Sequence, residues 1–499
     1  MTLQGLSGIL VNVEVDISGG MPAWNVVGLP DTAIKESKER IKTAIKNCDI
    51  ELLSRKYIIN LSPANLKKEG AALDLAIAVA ILKSLGKIND IDINEILFLG
   101  ELSLDAKIKK IEGMLPICLE ALKYGIKKIV LPFENAKEAS VVEGLEIIGV
   151  KHLKEVIDYL NGEKNIESTK VNINELFKKK FNSELDFSEV KGQESIKRAL
   201  EIAAAGGHNC MLIGSPGSGK TMMARRITTI LPDLSFEEAL EITKIHSVAG
   251  KIGNNTIITE RPFRSPHHTI SSTGLIGGGA FPKPGEISLS HYGVLFLDEL
   301  PEFNKRTIEV LRGPLEDRNV TISRANASYS YPCNFMLVAS MNPCPCGYYG
   351  SVDKECICNE KQRINYRGKV SGPILDRIDI QIEVPSVKYE KLEGKAGESS
   401  EIIRERVNKA REIQLTRYKG VNIYSNAELT PKLIEKVCKL NEPSKIILKK
   451  SFEKMNLSAR AYSRILKVAR TIADLDGKKD IDSTHIIEAI GYRSLDKKW

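Results

Sequence analysis

The chain has 499 residues, of which 42% are hydrophobic and 27% charged, a composition that is typical of folded globular proteins and excludes disordered and fibrous classes. Its length predicts roughly three domains. With 72 Lys and Arg against 64 Asp and Glu, the formal net charge of +8 is too small in so long a chain to indicate a nucleic-acid-binding protein on charge alone.

The N-terminus, the apolar stretches and the cysteines indicate the compartment of the protein. The first residues, MTLQGLSGILVNVEVDIS, lack the basic and apolar blocks of an export signal. The longest apolar stretch, from Ala71 to Leu82, is too short to span a bilayer and contains Asp74. Nine cysteines, an odd number scattered outside one cluster, argue against a disulfide framework. We therefore expect a cytoplasmic protein without a membrane partner.

The N-terminal region alternates short β-type runs with helical segments. The β-type runs are Ile9 to Val15, Tyr57 to Leu61 and Lys128 to Leu131, and the helical segments are Asp31 to Lys46, Leu73 to Leu85 and Pro116 to Tyr124. The pattern predicts a mixed α/β domain over residues 1–162. The polar stretch that follows, with three consecutive lysines at Lys178 to Lys180, predicts a linker over residues 163–186.

Residues 187–385 again alternate strands and helices, which predicts a parallel-sheet domain. Within it, an apolar strand leads into a glycine-rich loop and then into a helix that begins MMARRI. The loop has the spacing of a phosphate-binding P-loop, in which backbone N–H groups surround the phosphates, Lys220 reaches the β and γ phosphates and Thr221 offers a hydroxyl to Mg²⁺. The predicted ATP-binding residues are Gly214, Ser215, Pro216, Gly217, Ser218, Gly219, Lys220 and Thr221.

Two later strands end in polar residues that complete such a site. The apolar run Gly293 to Leu297 is followed by Asp298, which would hold the water shell of Mg²⁺, and by Glu299, which would polarise an attacking water. The strand from Phe335 ends at Asn342, which would orient that water. An asparagine in a turn before Pro343 is the equally open alternative for Asn342.

Four cysteines follow Asn342 in a C-x-C-x9-C-x-C pattern, namely Cys344, Cys346, Cys356 and Cys358. Thiols on two short arms can close a tetrahedral Zn²⁺ site, although the spacing departs from the common C-x2-C arms. Four reduced thiols in a loop beside the site are the alternative.

The region from residue 386 to 499 reads as helical, with apolar positions three and four apart in Ile402 to Leu415 and Ala461 to Leu475. It holds the basic surplus, with 22 Lys and Arg against 13 Asp and Glu from Ser400 onward. Arg377, before this region, lies where a ring-shaped ATPase would present an arginine to the γ-phosphate of the adjacent subunit. Arg460 would offer a second arginine to the nucleotide of its own subunit.

The order of these motifs resembles an AAA+ ATPase with P-loop, Walker B, sensor 1, arginine finger and sensor 2. Longer stretches are more specific, and the chain is identified on them as a member of the ComM/YifB family of magnesium-chelatase-like ATPases. These stretches are VEVDISGGMPAWNVVGLPDTAIKESKERIKTAIKN, RPFRSPHHTISSTGLIGGG, PGEISLSHYGVLFLDELPEF, NPCPCGYYG and SARAYSRILKVARTIADL.

This resemblance implies an α/β fold class with a Lon-protease-like N-terminal domain, an AAA+ core with a helix-2 insertion, a C-terminal helical lid and a homo-hexameric ring. For ComM proteins it also implies ATP-driven helicase and branch-migration activity on single-stranded or branched DNA during natural transformation. Two elements would face the pore of the ring: the insertion from Arg261 to His291, which includes Phe281, and the hairpin from Val320 to Tyr331, with Arg324 at its turn.

A Lon-like domain raises the question of peptidase activity. Ala72 occupies the position of the nucleophilic serine of Lon, and the segment from Glu112 to Leu119 that would bring the catalytic lysine contains none. Without a nucleophile and a base the activation chemistry is missing, so we expect no peptidase activity. The domain would instead assemble the ring or bind a partner or DNA.

In two alternatives the protein is still an ATPase but acts on something other than DNA. One is a magnesium-chelatase-type motor subunit that drives metal insertion into a porphyrin, against which the Lon-like domain argues. The other is a protein-remodelling ATPase or interaction scaffold.

Overall fold

The computed structural model of the chain describes residues 1–89, 93–178, 184–253, 255–279, 282–324, 327–351, 354–386, 397–421, 423–455 and 457–493. The chain forms two compact units: Met1–Lys179 with Ala239–Thr259, and Lys180–Glu238 with Glu260–Trp499. Among the described helices, none combines the length and the apolar content needed to cross a membrane.

The described strands and helices of the first unit are β1 Thr2–Gln4, β2 Ser7–Ile9, β3 Asn12–Ser18, β4 Ala23–Val27, α1 Thr32–Lys46, β5 Lys56–Ser62, α2 Asp74–Ser84, β6 Ile96–Phe98, β7 Glu101–Leu102, β8 Ile108–Lys109, α3 Met114–Lys123, β9 Lys128–Pro132, α4 Phe133–Ala139, β10 Glu146–Val150, α5 Leu153–Leu160 and α6 Ile173–Lys178.

Local sequence explains these elements. Helix α1 begins after Asp31, whose carboxylate accepts from the backbone N–H of Ile34 at 2.9 Å and so caps the helix. Strand β5 buries alternate residues, pairs antiparallel with β3 and parallel with β4, and gives the sheet order β3-β5-β4. A second sheet, β10-β9-β6, is parallel. The predicted α/β class of this region is confirmed.

Ala72 lies in a short 3-10 turn, Ala71–Leu73, directly before α2. It packs against an apolar cluster that includes Leu115 and Cys118 of α3. Apolar side chains of the cluster therefore pack around the position where a Lon-like enzyme would need its nucleophile. The absence of peptidase activity remains a prediction.

The second unit contains, in chain order among described residues, α7 Glu194–Gly206, β11 Cys210–Gly214, α8 Lys220–Arg226, the start of α9 Phe236–Val248, β12 Phe263–Arg264, α10 Ser272–Ile276, β13 Gly277–Gly278, β14 Lys283–Pro284, α11 Glu286–Leu289, β15 Val294–Leu297, α12 Lys305–Glu309, α13 Arg312–Asp317, β16 Asn319–Arg324, β17 Ala327–Pro332, β18 Met336–Met341, α14 Glu360–Arg367, α15 Gly372–Leu375, β19 Ile380–Val384, α16 Ser400–Arg417, α17 Pro431–Val437, α18 Glu442–Met455, α19 Ala459–Leu475 and α20 Ser483–Gly491.

Its central sheet has the strand order β12-β15-β18-β11-β19, and every pair is parallel. Every residue of β11, β15 and β18 is buried, as expected of parallel strands covered on both faces. The strands therefore end side by side at Gly214, Leu297 and Met341. We call this the carboxyl edge of the sheet, and the opposite edge, where β11, β15, β18 and β19 begin, the amino edge.

The C-terminal region is helical, as predicted. The described residues from 397 to 493 contain helices α16 to α20 and no strand beyond a single bridge between Leu440 and Ile481. Helices α16 and α19 pack against α7 of the sheet domain, so that one apolar core runs through both. The fully buried His208 joins the two parts, with Nδ1 3.1 Å from Oδ2 of Asp379 and Nε2 2.8 Å from Oγ1 of Thr471.

The two predicted pore elements are described in part. Strands β16 and β17 form the predicted antiparallel hairpin, in which Arg324 pairs with Ala327. The side chain of Arg324 and residues 325 and 326 at the turn lie outside the described part of the structure. The insertion contains α10, the two-residue strands β13 and β14, and α11, while Phe281 lies outside the described residues.

Candidate functional site

The glycine-rich loop lies between β11 and α8, at the carboxyl edge. A Cβ atom on Gly214 would lie 2.3 Å from the carbonyl oxygen of Val384, so no larger residue fits there. Gly217 and Gly219 have φ values of 76° and 90°, which glycine adopts without strain. Ser218 in this loop is buried, and its hydroxyl has no hydrogen-bond partner among the described residues. The loop thus has the shape of a phosphate cradle and a polar atom left for a ligand.

Lys220 begins α8 and turns back over this loop. Its Nζ donates to the carbonyl oxygens of Gly214 at 2.7 Å and Ser215 at 2.9 Å, and lies 3.2 Å from Oδ1 of Asn342. Burial lowers the pKa of Lys220, and the charges of Asp298 and Glu299 oppose that shift. The ammonium group is therefore held between the loop and two carboxylates.

Asp298, which directly follows β15, accepts hydrogen bonds from a residue that follows the P-loop and from a residue near the end of β18. The hydroxyl of Thr221 donates to its Oδ2 at 2.7 Å, and the hydroxyl of Ser340 donates to its Oδ1. The pattern brings together the two residues predicted to hold Mg²⁺. Ser340 was not predicted, because its position depends on the pairing of β15 with β18.

Glu299 directly follows and is exposed at the carboxyl edge. Its backbone has φ 54°, in the left-handed region that is uncommon for a residue with a side chain. The backbone N–H of Glu299 donates to the hydroxyl of Ser340 at 3.2 Å, which helps to hold this bend. Strained backbone that is fixed by its neighbours is frequent at functional sites.

Two further residues at this edge were missed by the sequence analysis. Gln193 donates through Nε2 to the carbonyl oxygens of Ser218 and Pro385, both at 3.1 Å, and so ties the P-loop to the end of β19. Tyr366 of α14 accepts a hydrogen bond from the backbone of Asn342, and burial raises its pKa to about 12. Neither residue belongs to a spacing pattern that would have indicated it.

The two predicted arginines lie elsewhere. Arg377 is buried close to the start of β19, where its guanidinium donates to the carbonyl oxygen of Pro373 at 2.6 Å and pairs with Glu316. Arg460 has Nη1 3.3 Å from Oδ2 of Asp376. Both therefore lie at the amino edge, whereas the P-loop follows the carboxyl end of β11. Arg460 lies on α19, which packs on α7, and its contact with the nucleotide of its own subunit stays a prediction.

The four predicted zinc ligands converge. The Sγ atoms of Cys344, Cys346, Cys356 and Cys358 all lie within 4.8 Å of one another. The Sγ atoms of Cys344, Cys346 and Cys356 are 3.3 to 3.7 Å apart, close to the roughly 3.8 Å expected between thiolates that share a tetrahedral Zn²⁺ with bonds of about 2.3 Å. The turn between the arms packs on the P-loop, since a Cβ on Gly347 would lie 2.5 Å from Cδ of Pro216.

Comparison with known proteins covers nearly the whole chain. Profiles described as "Magnesium chelatase, subunit ChlI", "Subunit ChlI of Mg-chelatase" and "Magnesium chelatase, subunit ChlI C-terminal" match residues 186–392, 13–135 and 397–493. Competence protein ComM of Haemophilus influenzae is 41% identical over 495 residues, and YifB of Escherichia coli is 42% identical over 495 residues. Each match spans 99% of this chain and 96% of the relative.

A partial match concerns another enzyme. Lon protease 2 of Bacillus subtilis is 28% identical over 169 residues, which is 30% of this chain and 30% of the protease.

Proposed function

This chain belongs to the ComM/YifB family of magnesium-chelatase-like AAA+ proteins, and we propose that it is an ATP-hydrolysing ring motor that acts on DNA. Membership of this AAA+ family implies ATPase activity. The observation that supports the proposal best is the convergence of Lys220, Thr221, Asp298 and Asn342 at the carboxyl edge.

The chain's residues fit a bound nucleotide with Mg²⁺. The free hydroxyl of Ser218 and the open glycine loop provide contacts for phosphate oxygens. Thr221 and Asp298 would hold Mg²⁺, which when bound supplies positive charge against the phosphates. On nucleotide binding, Lys220 exchanges the loop carbonyl oxygens that it now contacts for phosphate oxygens.

Hydrolysis then depends on two residues at the strand ends. Glu299 accepts a proton from the attacking water, which its exposed carboxylate can reach from the solvent side. Asn342 orients that water and contacts the γ-phosphate from the neighbouring strand. The backbone of Asn342 donates to the hydroxyl of Tyr366, which helps to fix the strand end that carries this side chain.

A ring supplies the arginines. In a closed head-to-tail ring, one edge of each subunit faces the site of the next. Arg377 and Arg460 lie together at the amino edge, so a neighbour's nucleotide can receive both from the same subunit. Arg377 must leave Glu316 to do so, and this makes full activity depend on assembly. A hexamer is the form that the family resemblance implies.

DNA is the proposed client, in single-stranded or branched form, with helicase or branch-migration activity in natural transformation or recombination. Similarity to competence protein ComM along nearly the entire chain supports this choice over a magnesium-chelatase motor or a protein-remodelling ATPase. The hairpin β16–β17 and the insertion would line the pore and contact the strand.

The cysteine cluster is proposed to bind one structural Zn²⁺. Four thiol sulfurs within 4.8 Å of one another support it, and soft thiolates are preferred zinc ligands. The bound ion would tie the two cysteine arms together beside the P-loop.

The rate of ATP hydrolysis, measured with and without forked DNA, tests whether the motor acts on DNA. A severalfold stimulation is expected. Equal rates with and without DNA, together with stimulation by a protein partner, would shift the function to protein remodelling.

A further inference from the structure

A cavity of about 460 Å³ lies at the amino edge, on the opposite side of the sheet from the P-loop. Its floor comes from the starts of the strands, including Asn334 and Asp379, and its roof from the helical lid, including Arg411 of α16 and Lys467 of α19. The volume suits a small-molecule ligand. None of the residues assigned to ATP hydrolysis in one subunit lines it.

Charged side chains line this cavity, and most of them are paired. Arg261 contacts Glu238 at 2.9 Å, Arg318 contacts Glu428 at 2.7 Å, and Arg464 pairs with Asp379. The fourth acidic residue of the lining, Glu316, pairs with Arg377. Every carboxylate of the lining therefore already has an arginine.

Two cations are left without a carboxylate among the described residues. Arg411 donates through Nη1 to the carbonyl oxygen of Tyr424 at 2.7 Å, and its Nε is buried without a partner. Lys467 donates to the carbonyl oxygen of Ala427 at 2.8 Å. Half-buried cations that lack a paired carboxylate cost free energy, which an anion in the cavity would relieve.

The electrostatics agree with this geometry. Burial lowers the pKa of Arg411 to about 10; the nearby charge of Arg261 acts in the same direction, and the charges of Glu238 and Glu428 oppose the shift. Burial also lowers the pKa of Lys467 to about 8, against the opposing charge of Asp379. The surroundings of both side chains therefore disfavour their charged forms, which an added negative charge would stabilise.

We propose that this cavity binds a small anion with two acidic groups, phosphates or carboxylates, one at Arg411 and one at Lys467. Because both cations belong to the lid and the floor belongs to the sheet domain, the anion would hold the lid against the strands. It would act next to the edge that carries Arg377 and Arg460 and independently of the P-loop.

The test uses the full chain with Lys220→Ala, so that phosphate binding by the P-loop is impaired. Melting temperature is followed in magnesium-free buffer against rising pyrophosphate in one arm and malonate in the other, at constant ionic strength. A saturable rise in melting temperature is expected in at least one arm, and the arm that responds identifies phosphate or carboxylate as the ligand chemistry. Absence of a saturable rise in both arms overturns the proposal.

Substitutions assign the response to the cavity. In the Lys220→Ala background, Arg411→Met and Lys467→Met should each raise the anion concentration that gives half of the melting-temperature rise at least tenfold. Without anion, the melting temperature of each variant should not fall, because an uncompensated cation is removed. Lys409→Met, on the exposed face of the same helix α16, is the matched control and should respond as the parent does. If Lys467→Met responds like Lys409→Met, the proposal is wrong even where Arg411→Met fails to fold.

Discussion

Lys220 and Asn342 come from different strand ends and meet at the centre of the proposed site, with Nζ of the lysine 3.2 Å from Oδ1 of the asparagine. They lie 122 residues apart in the chain. The parallel pairing of β11 with β18 brings them together, because it aligns the ends of the two strands.

This contact predicts a selective loss of hydrolysis in Asn342→Ala. The glycine-rich loop and Lys220, which bind the phosphates, are unchanged in this variant, so nucleotide affinity should change little, while hydrolysis should fall about 100-fold because a positioned polar group is lost from the reacting phosphate. ATP affinity and turnover are measured separately. Asn365→Ala, at an exposed position of α14, is the control. A parallel loss of affinity and turnover would assign Asn342 to binding rather than to catalysis.

The left-handed backbone at Glu299 predicts a gain in stability when function is removed. Asparagine tolerates this conformation better than other residues with a Cβ. Glu299→Asn should therefore melt at a higher temperature than Glu299→Gln, and its folding free energy should be more favourable by about 1 kcal/mol. Both variants should lose hydrolysis. The same pair at Glu302, where φ is not positive, should show no such gain. Equal melting temperatures for the two Glu299 variants would mean that the bend is unstrained.

Subunit mixing tests the placement of the arginines. Lys220→Ala and Arg377→Ala should each be inactive alone. A mixture should regain activity, because about a quarter of randomly formed interfaces combine an intact P-loop with an intact Arg377 from the neighbour. Lys220→Ala mixed with Arg460→Ala should also regain activity if Arg460 acts across the interface. If the second mixture recovers no activity, Arg460 acts on the nucleotide bound by its own subunit.

Metal content tests the cysteine cluster. Protein purified without chelator should contain about one zinc per chain, and Cys356→Ser should lose it, since three thiolates close the tetrahedron poorly. Cys438→Ser, which changes a buried thiol of the lid, should keep the metal. Much less than one zinc per parent chain would leave four reduced thiols as the better description.

Sequence reasoning predicts most directly the parts of the site that depend on local spacing. The P-loop and the pair Asp298 and Glu299 each lie within one strand and its following turn, so a motif contains all the information needed. Ser340 escaped notice because only strand register places its hydroxyl on Asp298. The position of Arg460 beside Asp376 depends on how α19 packs against α7, which no local pattern specifies, and the nucleotide that it contacts stays a prediction.

The most direct test of the motor is ATP-dependent unwinding of a forked DNA by the assembled protein, compared with Glu299→Gln. The parent should separate the strands only when ATP is hydrolysed, and the variant should bind both ATP and the fork yet leave the strands paired. Unwinding that persists in Glu299→Gln would contradict the proposed mechanism, and a parent that hydrolyses ATP but never moves DNA would contradict the proposed function.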